Sequence, residues 1–62
     1  MTDAQREAVE ALSVALKAEK WSVDIEEEEN GDRVFLRFGK YYGDFVGWYT
    51  ILPDGRREFG RR

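Results

Sequence analysis

Sixty-two residues, 42% hydrophobic and 37% charged with nine aromatic rings, describe one domain near the lower size at which a chain buries enough apolar surface to fold alone. With no cysteine, a disulfide-stapled secreted scaffold and a thiolate metal site are excluded, and a reducing cytoplasm is the natural setting. The net charge of -3 divides unevenly, residues 1–32 carrying -7 and residues 33–62 carrying +4, so two surfaces face different partners or opposite charges pair across a hairpin.

Thr2-Asp3-Ala4-Gln5 fits a capping box and predicts a helix over residues 3–20. Winding it at 3.6 residues per turn puts Ala8, Val9, Leu12, Ala15 and Leu16 on one face, with Arg6, Glu10, Ser13, Lys17 and Lys20 opposite. A strip of small residues (Ala4, Ala8, Ala11, Ala15, Ala18) would let it lie close to a sheet. From Trp21 the period falls to 2, predicting a strand over residues 21–29 and a second over 32–40. Asn30-Gly31 between them signals a two-residue type I′ turn. That turn sets Glu29 opposite Asp32, Glu28 opposite Arg33, Ile25 opposite Leu36, Asp24 opposite Arg37 and Val23 opposite Phe38. Val23, Ile25, Val34, Leu36 and Phe38 then share the core face, and the acid–arginine pairs share the other.

A third strand over residues 45–52 follows a turn near Tyr42-Gly43-Asp44, which the sequence allows as a type II′ turn on Gly43-Asp44, with Gly39 as a candidate bulge. Phe45, Tyr49 and Ile51 would face the helix, and Val46, Trp48, Thr50 and Leu52 the opposite side. Leu52-Pro53-Asp54-Gly55-Arg56 reads as a type I turn closed by a left-handed Gly55, leading to an edge strand over 56–60 with Phe59 beside Tyr49 and a fraying Arg61-Arg62. The architecture is α+β: one N-terminal helix on one face of a four-stranded antiparallel meander, αββββ, as a single domain over residues 1–62. The first residues show no charged run followed by an apolar one, and no segment nears the roughly 18 apolar residues of a membrane span, so a soluble, untargeted protein is expected.

Catalysis is not expected. Histidine and cysteine are absent, Ser13 and Ser22 have no neighbouring base of the usual kinds, and Glu26 and Glu28 on a hairpin arm have no apolar pocket to raise a pKa. Glu26, Glu28 and Asn30 before Gly31 superficially match a calcium loop, but Glu26 replaces its first Asp and Arg37 stands where a bidentate Glu is required. No metal and no cofactor is expected.

The acidic run is sharper as a nucleic-acid mimic. Carboxylates at alternate strand positions repeat about every 6 to 7 Å, near the spacing of phosphates along an extended strand. Asp24, Glu26, Glu27, Glu28, Glu29 and Asp32 would thus occupy a basic groove built for phosphates and release its counterions. Asp24 and Glu28 have cross-strand arginines, which leaves Glu26, Glu27, Glu29 and Asp32 as the unpaired set, Glu27 projecting past the helix end. The plainer reading is a solvated hairpin tip. Phe35, Tyr41, Val46, Trp48 and Leu52 map to the face away from the helix as a second surface, for a partner or a homodimer. Those aromatics with Arg33, Arg37, Arg56, Arg57, Arg61 and Arg62 would also suit single-stranded nucleic acid, which the overall acidity disfavours as a ligand.

In size, acidity and aromatic patch the whole chain resembles the small phage-encoded anti-CRISPR inhibitors. The resemblance implies an inhibitor working inside a bacterial host cell, which occludes the DNA-binding surface of a CRISPR effector subunit with carboxylates placed like phosphates. Arg56, Arg57, Arg61 and Arg62 depart from a uniformly acidic mimic and would leave one side only to face the basic groove. The alternative, from a different class, is a designed or natural minimal scaffold or dimerisation module whose acidic tip has no partner.

Overall fold

The computed structural model describes residues 1–41 and 43–62. One helix, α1 (Asp3–Ala18), precedes four strands, β1 (Ser22–Glu27), β2 (Val34–Gly39), β3 (Gly47–Ile51) and β4 (Arg57–Arg61), forming one antiparallel sheet in the order β1-β2-β3-β4. This is the αββββ meander that the change of period predicts.

The capping box that opens α1 also fastens it to the sheet. The Thr2 hydroxyl accepts from the Gln5 N–H at 3.0 Å, and the Thr2 N–H donates to Gln5 Oε1 at 2.8 Å. Beyond the helix, Thr2 Oγ1 donates to the Pro53 carbonyl (2.7 Å), and Gln5 Nε2 donates to the carbonyls of Asp32 (2.5 Å) and Ile51 (3.2 Å). Both loops at one end of the sheet are thereby tied to the first turn of α1. The helix ends at Ala18 rather than at residue 20, because the chain turns sharply there in a Schellman motif. Lys20 takes φ +68°, the Trp21 N–H returns to the Leu16 carbonyl (3.0 Å), and the Lys20 N–H to that of Lys17 (3.0 Å). Lys40 closes this end, its ammonium 3.3 Å from the Glu19 carbonyl and 4.0 Å from the centre of the Trp21 ring.

The β1–β2 register is the one the charge and hydrophobic patterns require: Val23 opposite Phe38, Asp24 opposite Arg37 and Ile25 opposite Leu36. The turn is not. Neither Asn30 nor Gly31 has a positive φ, whereas a type I′ turn needs both. The Glu28 N–H donates to the Arg33 carbonyl at 2.9 Å, so Glu28 and Arg33 form a hydrogen-bonded pair. Residues 29 and 32 then cannot close a two-residue turn, since bonded and unbonded pairs alternate. A four-residue loop, 29–32, connects the strands instead, and its Asp32 carbonyl is held by Gln5. The other hairpin follows its sequence: Gly55 at φ +90° donates to the Leu52 carbonyl (2.8 Å), and the Leu52 N–H donates to that of Arg56 (2.9 Å).

Between α1 and the sheet lie Ala8, Val9, Leu12, Val34, Leu36, Phe38 and Ile51, with Leu16, Trp21, Val23 and Tyr49 packed around them. Leu36 and Ile51 are fully buried, each stabilising the fold by about 1.5–3 kcal/mol relative to exposure. Ala15, expected on the buried face, is exposed, as are Ala11 and Ala18; only the Ala4–Ala8 end of the small-residue strip lies close to its neighbours. Ile25 sits on the helix side of β1 but is 43% exposed, because α1 does not cover that strand's outer half.

Three features at the far end of the sheet depart from expectation. β3 starts at Gly47 rather than residue 45. The Val46 N–H donates to Phe38, which pairs with Gly47, so two residues oppose one and the bulge lies on β3 rather than at Gly39. The extra residue inverts the alternation, and the Phe45 ring lies beneath Arg37 (5.3 Å) on the face away from the helix, not on the core face. Before it, the Asp44 N–H donates to the Tyr41 carbonyl (3.0 Å) with Gly43 at φ +87°, so the turn closes from Tyr41 to Asp44 rather than on Gly43-Asp44. Tyr42, part of the expected turn, lies outside the described residues. Finally, Arg61 belongs to β4, and the Arg62 N–H donates to the Val46 carbonyl (3.2 Å), so these arginines do not fray.

Candidate interaction surface

Strand alternation sorts the acidic run into three places. Asp24, Glu26 and Glu28 point to the sheet face away from α1, Glu27 points to the helix side, and Glu29 and Asp32 stand in the β1–β2 loop. Arg37 on β2 donates to Asp24 through Nη2 and to Glu26 at 3.2 Å, with the Phe45 ring beneath its guanidinium. Arg33 donates from Nε to Glu28 at 2.7 Å and stands 5.8 Å from the Phe35 ring. The Glu28 carboxylate holds the Arg33 guanidinium above its ordinary pKa. The Arg33–Glu28 and Arg37–Glu26 contacts are exposed, and such pairs fix side-chain order more than stability; the Arg37–Asp24 bond is partly buried.

Glu26 and Glu27 were expected to lack basic partners, and both have one. Glu27 accepts from the Met1 ammonium at 2.8 Å. It lies beside the start of α1, so it meets the Met1 ammonium while remaining exposed. That hydrogen bond, followed by the charge of the same ammonium, lowers its pKa below the usual carboxylate value. Among the described residues this leaves the Glu29 and Asp32 carboxylates exposed and without an ion pair.

The second set of predicted residues is only partly brought together. Phe35 and Trp48 join Glu26 and Arg37 around an open cleft of about 320 Å³ on the outer face. Trp48, 36% exposed, lies flat across Gly60 on β4, where a Cβ would enter the indole ring; glycine is required there for the ring to cover the strand. Tyr41 (74% exposed) and Val46 stand in the β2–β3 connection, and Leu52 is half-buried at the opposite end of β3, about 20 Å along the strand from Val46. The outer face is therefore a Phe35–Trp48 cleft with outlying apolar residues.

The sequence reading missed Gln5 as a buried organiser of this end. At 1% exposure it joins the β1–β2 loop, β3 and α1. The signal was present, because residues 5, 8, 9, 12 and 16 keep one helical face. Among the described residues no three His, Cys, Asp or Glu side chains converge as a metal site would need, and no helix is long and apolar enough to cross a membrane. The chain matches no protein-family model, no curated protein and no solved structure.

Proposed function

We propose that this protein is a non-enzymatic interaction protein, an inhibitor of the anti-CRISPR kind, that sets the acidic end of its β1–β2 hairpin into a partner's basic nucleic-acid-binding surface. One observation carries the reading. On the outer side of the β1–β2 hairpin and in its loop five carboxylates (Asp24, Glu26, Glu28, Glu29 and Asp32) meet two guanidinium groups (Arg33 and Arg37), so a surplus of negative charge remains on this hairpin after internal pairing. Glu29 and Asp32, unpaired at the tip, make the leading contacts, and Asp24 and Glu26, sharing one arginine, line the approach. A basic groove that has evolved to neutralise phosphates gains by exchanging its counterions for these fixed carboxylates. The phage origin and the CRISPR effector subunit belong to this proposal.

The test is inhibition of DNA binding by purified CRISPR effector complexes, titrated with the protein at low and high salt. Inhibition should weaken steeply with salt. It should be lost in the Glu29→Lys, Asp32→Lys double variant, whose reversals disturb no ion pair and leave the circular dichroism spectrum unchanged. Inhibition that survives both the reversals and high salt would reject the mimic. If no effector is inhibited, the acid–arginine pairs favour the scaffold reading, in which the hairpin charges serve folding and solubility.

A further inference from the structure

The two edges of the sheet carry complementary unfilled ladders. In β1, Glu28 pairs through hydrogen bonds with Arg33. By alternation residues 26, 24 and 22 also turn their backbone groups toward β2, while Val23, Ile25 and Glu27 turn theirs to the open edge. In β4, the bonds Leu52 to Arg56 and Arg62 to Val46 fix the same phase. Residues 56, 58, 60 and 62 face β3, and Arg57, Phe59 and Arg61 present free N–H and C=O groups outward. Among the described residues none of these six has a backbone hydrogen-bond partner at the edge.

The side chains of all six lie on the helix side of the sheet, and α1 covers the middle of that side, leaving one large apolar residue bare at each edge. Ile25 is 43% exposed on β1, and Phe59 is 58% exposed on β4 at the end of the Phe38–Tyr49–Phe59 ring stack. We propose that copies of this chain associate head to tail, β1 of one protomer pairing antiparallel with β4 of the next, with Ile25 against Phe59 and Glu27 against Arg57. Each strand runs opposite to its neighbour in the sheet, so β4 is antiparallel to β1. A second copy displaced sideways in the same orientation therefore offers β4 in the correct direction, with its helix on the same side. The free backbone groups then fall in phase, residue 25 against 59, 27 against 57 and 23 against 61. Arg61 lays its aliphatic stem along Val23. On the outer face Asp24 meets Gly60, and Glu26 meets Glu58 with Arg37 3.2 Å away to offset the like charge.

Charge selects this pairing over the alternatives. Two β1 edges centred on Ile25 would set Asp24 against Glu26 twice, and two β4 edges centred on Phe59 would set Arg57 against Arg61 twice, with no opposite-charge pair gained across either contact. The β1–β4 pairing instead sets one like pair, Glu26 with Glu58, against the opposite pair Glu27 with Arg57. The contact is heterologous and relates the copies by a sideways displacement with no closing rotation, so the assembly stays open, with one β1 and one β4 edge free at its ends. It is independent of the inhibitor reading, which uses the loop tip and outer face.

Sedimentation across micromolar to millimolar concentration tests it. The wild-type average mass should rise above the monomer and keep rising. Ile25→Pro removes an N–H that points to solvent, which leaves the β1–β2 ladder whole, and Phe59→Pro does the same on β4. Each variant alone should remain a monomer, and an equimolar mixture should double in mass and stop, because only one intact edge of each kind remains. If circular dichroism shows that a proline variant has not folded, Ile25→Lys and Phe59→Lys serve in their place. A wild type that stays monomeric throughout, a single variant that still assembles, or a mixture that stays monomeric would each overturn the proposal.

Discussion

The β1–β2 and β3–β4 hairpins end side by side beneath the first turn of α1, yet they are closed by different physics. Pro53-Asp54-Gly55 folds from its own residues: proline fixes the entry, Gly55 takes φ +90°, and Asp54 accepts the Arg56 N–H at 3.0 Å. Asn30-Gly31, the stronger turn signal by composition, is overridden. Its loop is wider by two residues and is held from outside by Gln5, whose amide donates to the Asp32 carbonyl. A local signal decides a turn when the tertiary bonds made to that backbone are compatible with it: Thr2 bonds the Pro53 carbonyl and the local turn keeps its own bonds, whereas Gln5 holds the Asp32 carbonyl of a loop wider than Asn30-Gly31 alone would close.

That contrast breaks most sharply at Gln5. Gln5→Leu removes the capping-box acceptor and the amide that satisfies the Asp32 and Ile51 carbonyls, at an expected cost of about 2–4 kcal/mol. For a domain of this size the thermal midpoint falls by more than about 10 °C. Amide exchange should accelerate first in residues 29–33 and less in the loop at 53–55, which keeps its own bonds. Equal acceleration in both loops would mean that the β1–β2 loop is as self-sufficient as its neighbour.

A smaller effect separates the two loop glycines. Gly55→Ala forces a Cβ into the left-handed region beside the Ala4 carbonyl, 3.2 Å away, and should cost about 1–2 kcal/mol. Gly31→Ala carries no such φ penalty, and the new methyl meets the Glu28 side chain from Oε1 to Cγ, which can swing aside by giving up its exposed pair with Arg33, a contact of small worth. Paired urea melts should show a lowered midpoint for Gly55→Ala and one near wild type for Gly31→Ala. A type I′ turn at Asn30-Gly31 would reverse that expectation by making Gly31 costly to replace.

The same division explains how much of the molecule was legible in its sequence. Periodicity found the helix, four strands and their order, and the register set from Asn30-Gly31 and checked against the opposite charges of Asp24 with Arg37 and Glu28 with Arg33 is the observed one, although the turn itself is wider. The register survived because it rests on which face is buried, and loop length leaves that unchanged so long as the paired residues stay the same. Three things depend on contacts distant in sequence and were not legible: the capture of Asp32 by Gln5, the meeting of Glu27 with the Met1 ammonium, and the bulge that turns Phe45 toward Arg37. Of the six acidic site residues, their clustering at one hairpin could be read. Their division among the outer face, the helix side and the loop tip required the fold, and it narrows the unpaired set to Glu29 and Asp32.

The smallest expected effect compares the two ends through their titrating carboxylates. Asp54 has its pKa lowered chiefly by the hydrogen bond from the Arg56 N–H, with the Arg56 guanidinium 2.9 Å from its other oxygen. Glu27 is lowered chiefly by its hydrogen bond from the Met1 ammonium. A carboxylate whose folded pKa is depressed binds its proton more readily when unfolded, so its contribution is present above the unfolded value, about 4. It is lost as pH falls through the lower folded value. Acidification from pH 5 to pH 3 should therefore lower the wild-type thermal midpoint. Asp54→Asn keeps an oxygen for the Arg56 N–H but cannot titrate, so its midpoint should fall less over the same range, and Glu27→Gln should flatten the acid limb likewise. The local turn should lose this support whatever happens to the chain's first residue, whereas blocking the α-amino group should abolish the Glu27 contribution and leave that of Asp54 intact. If the block flattens both limbs equally, the two hairpin ends share one electrostatic network and their independence is refuted.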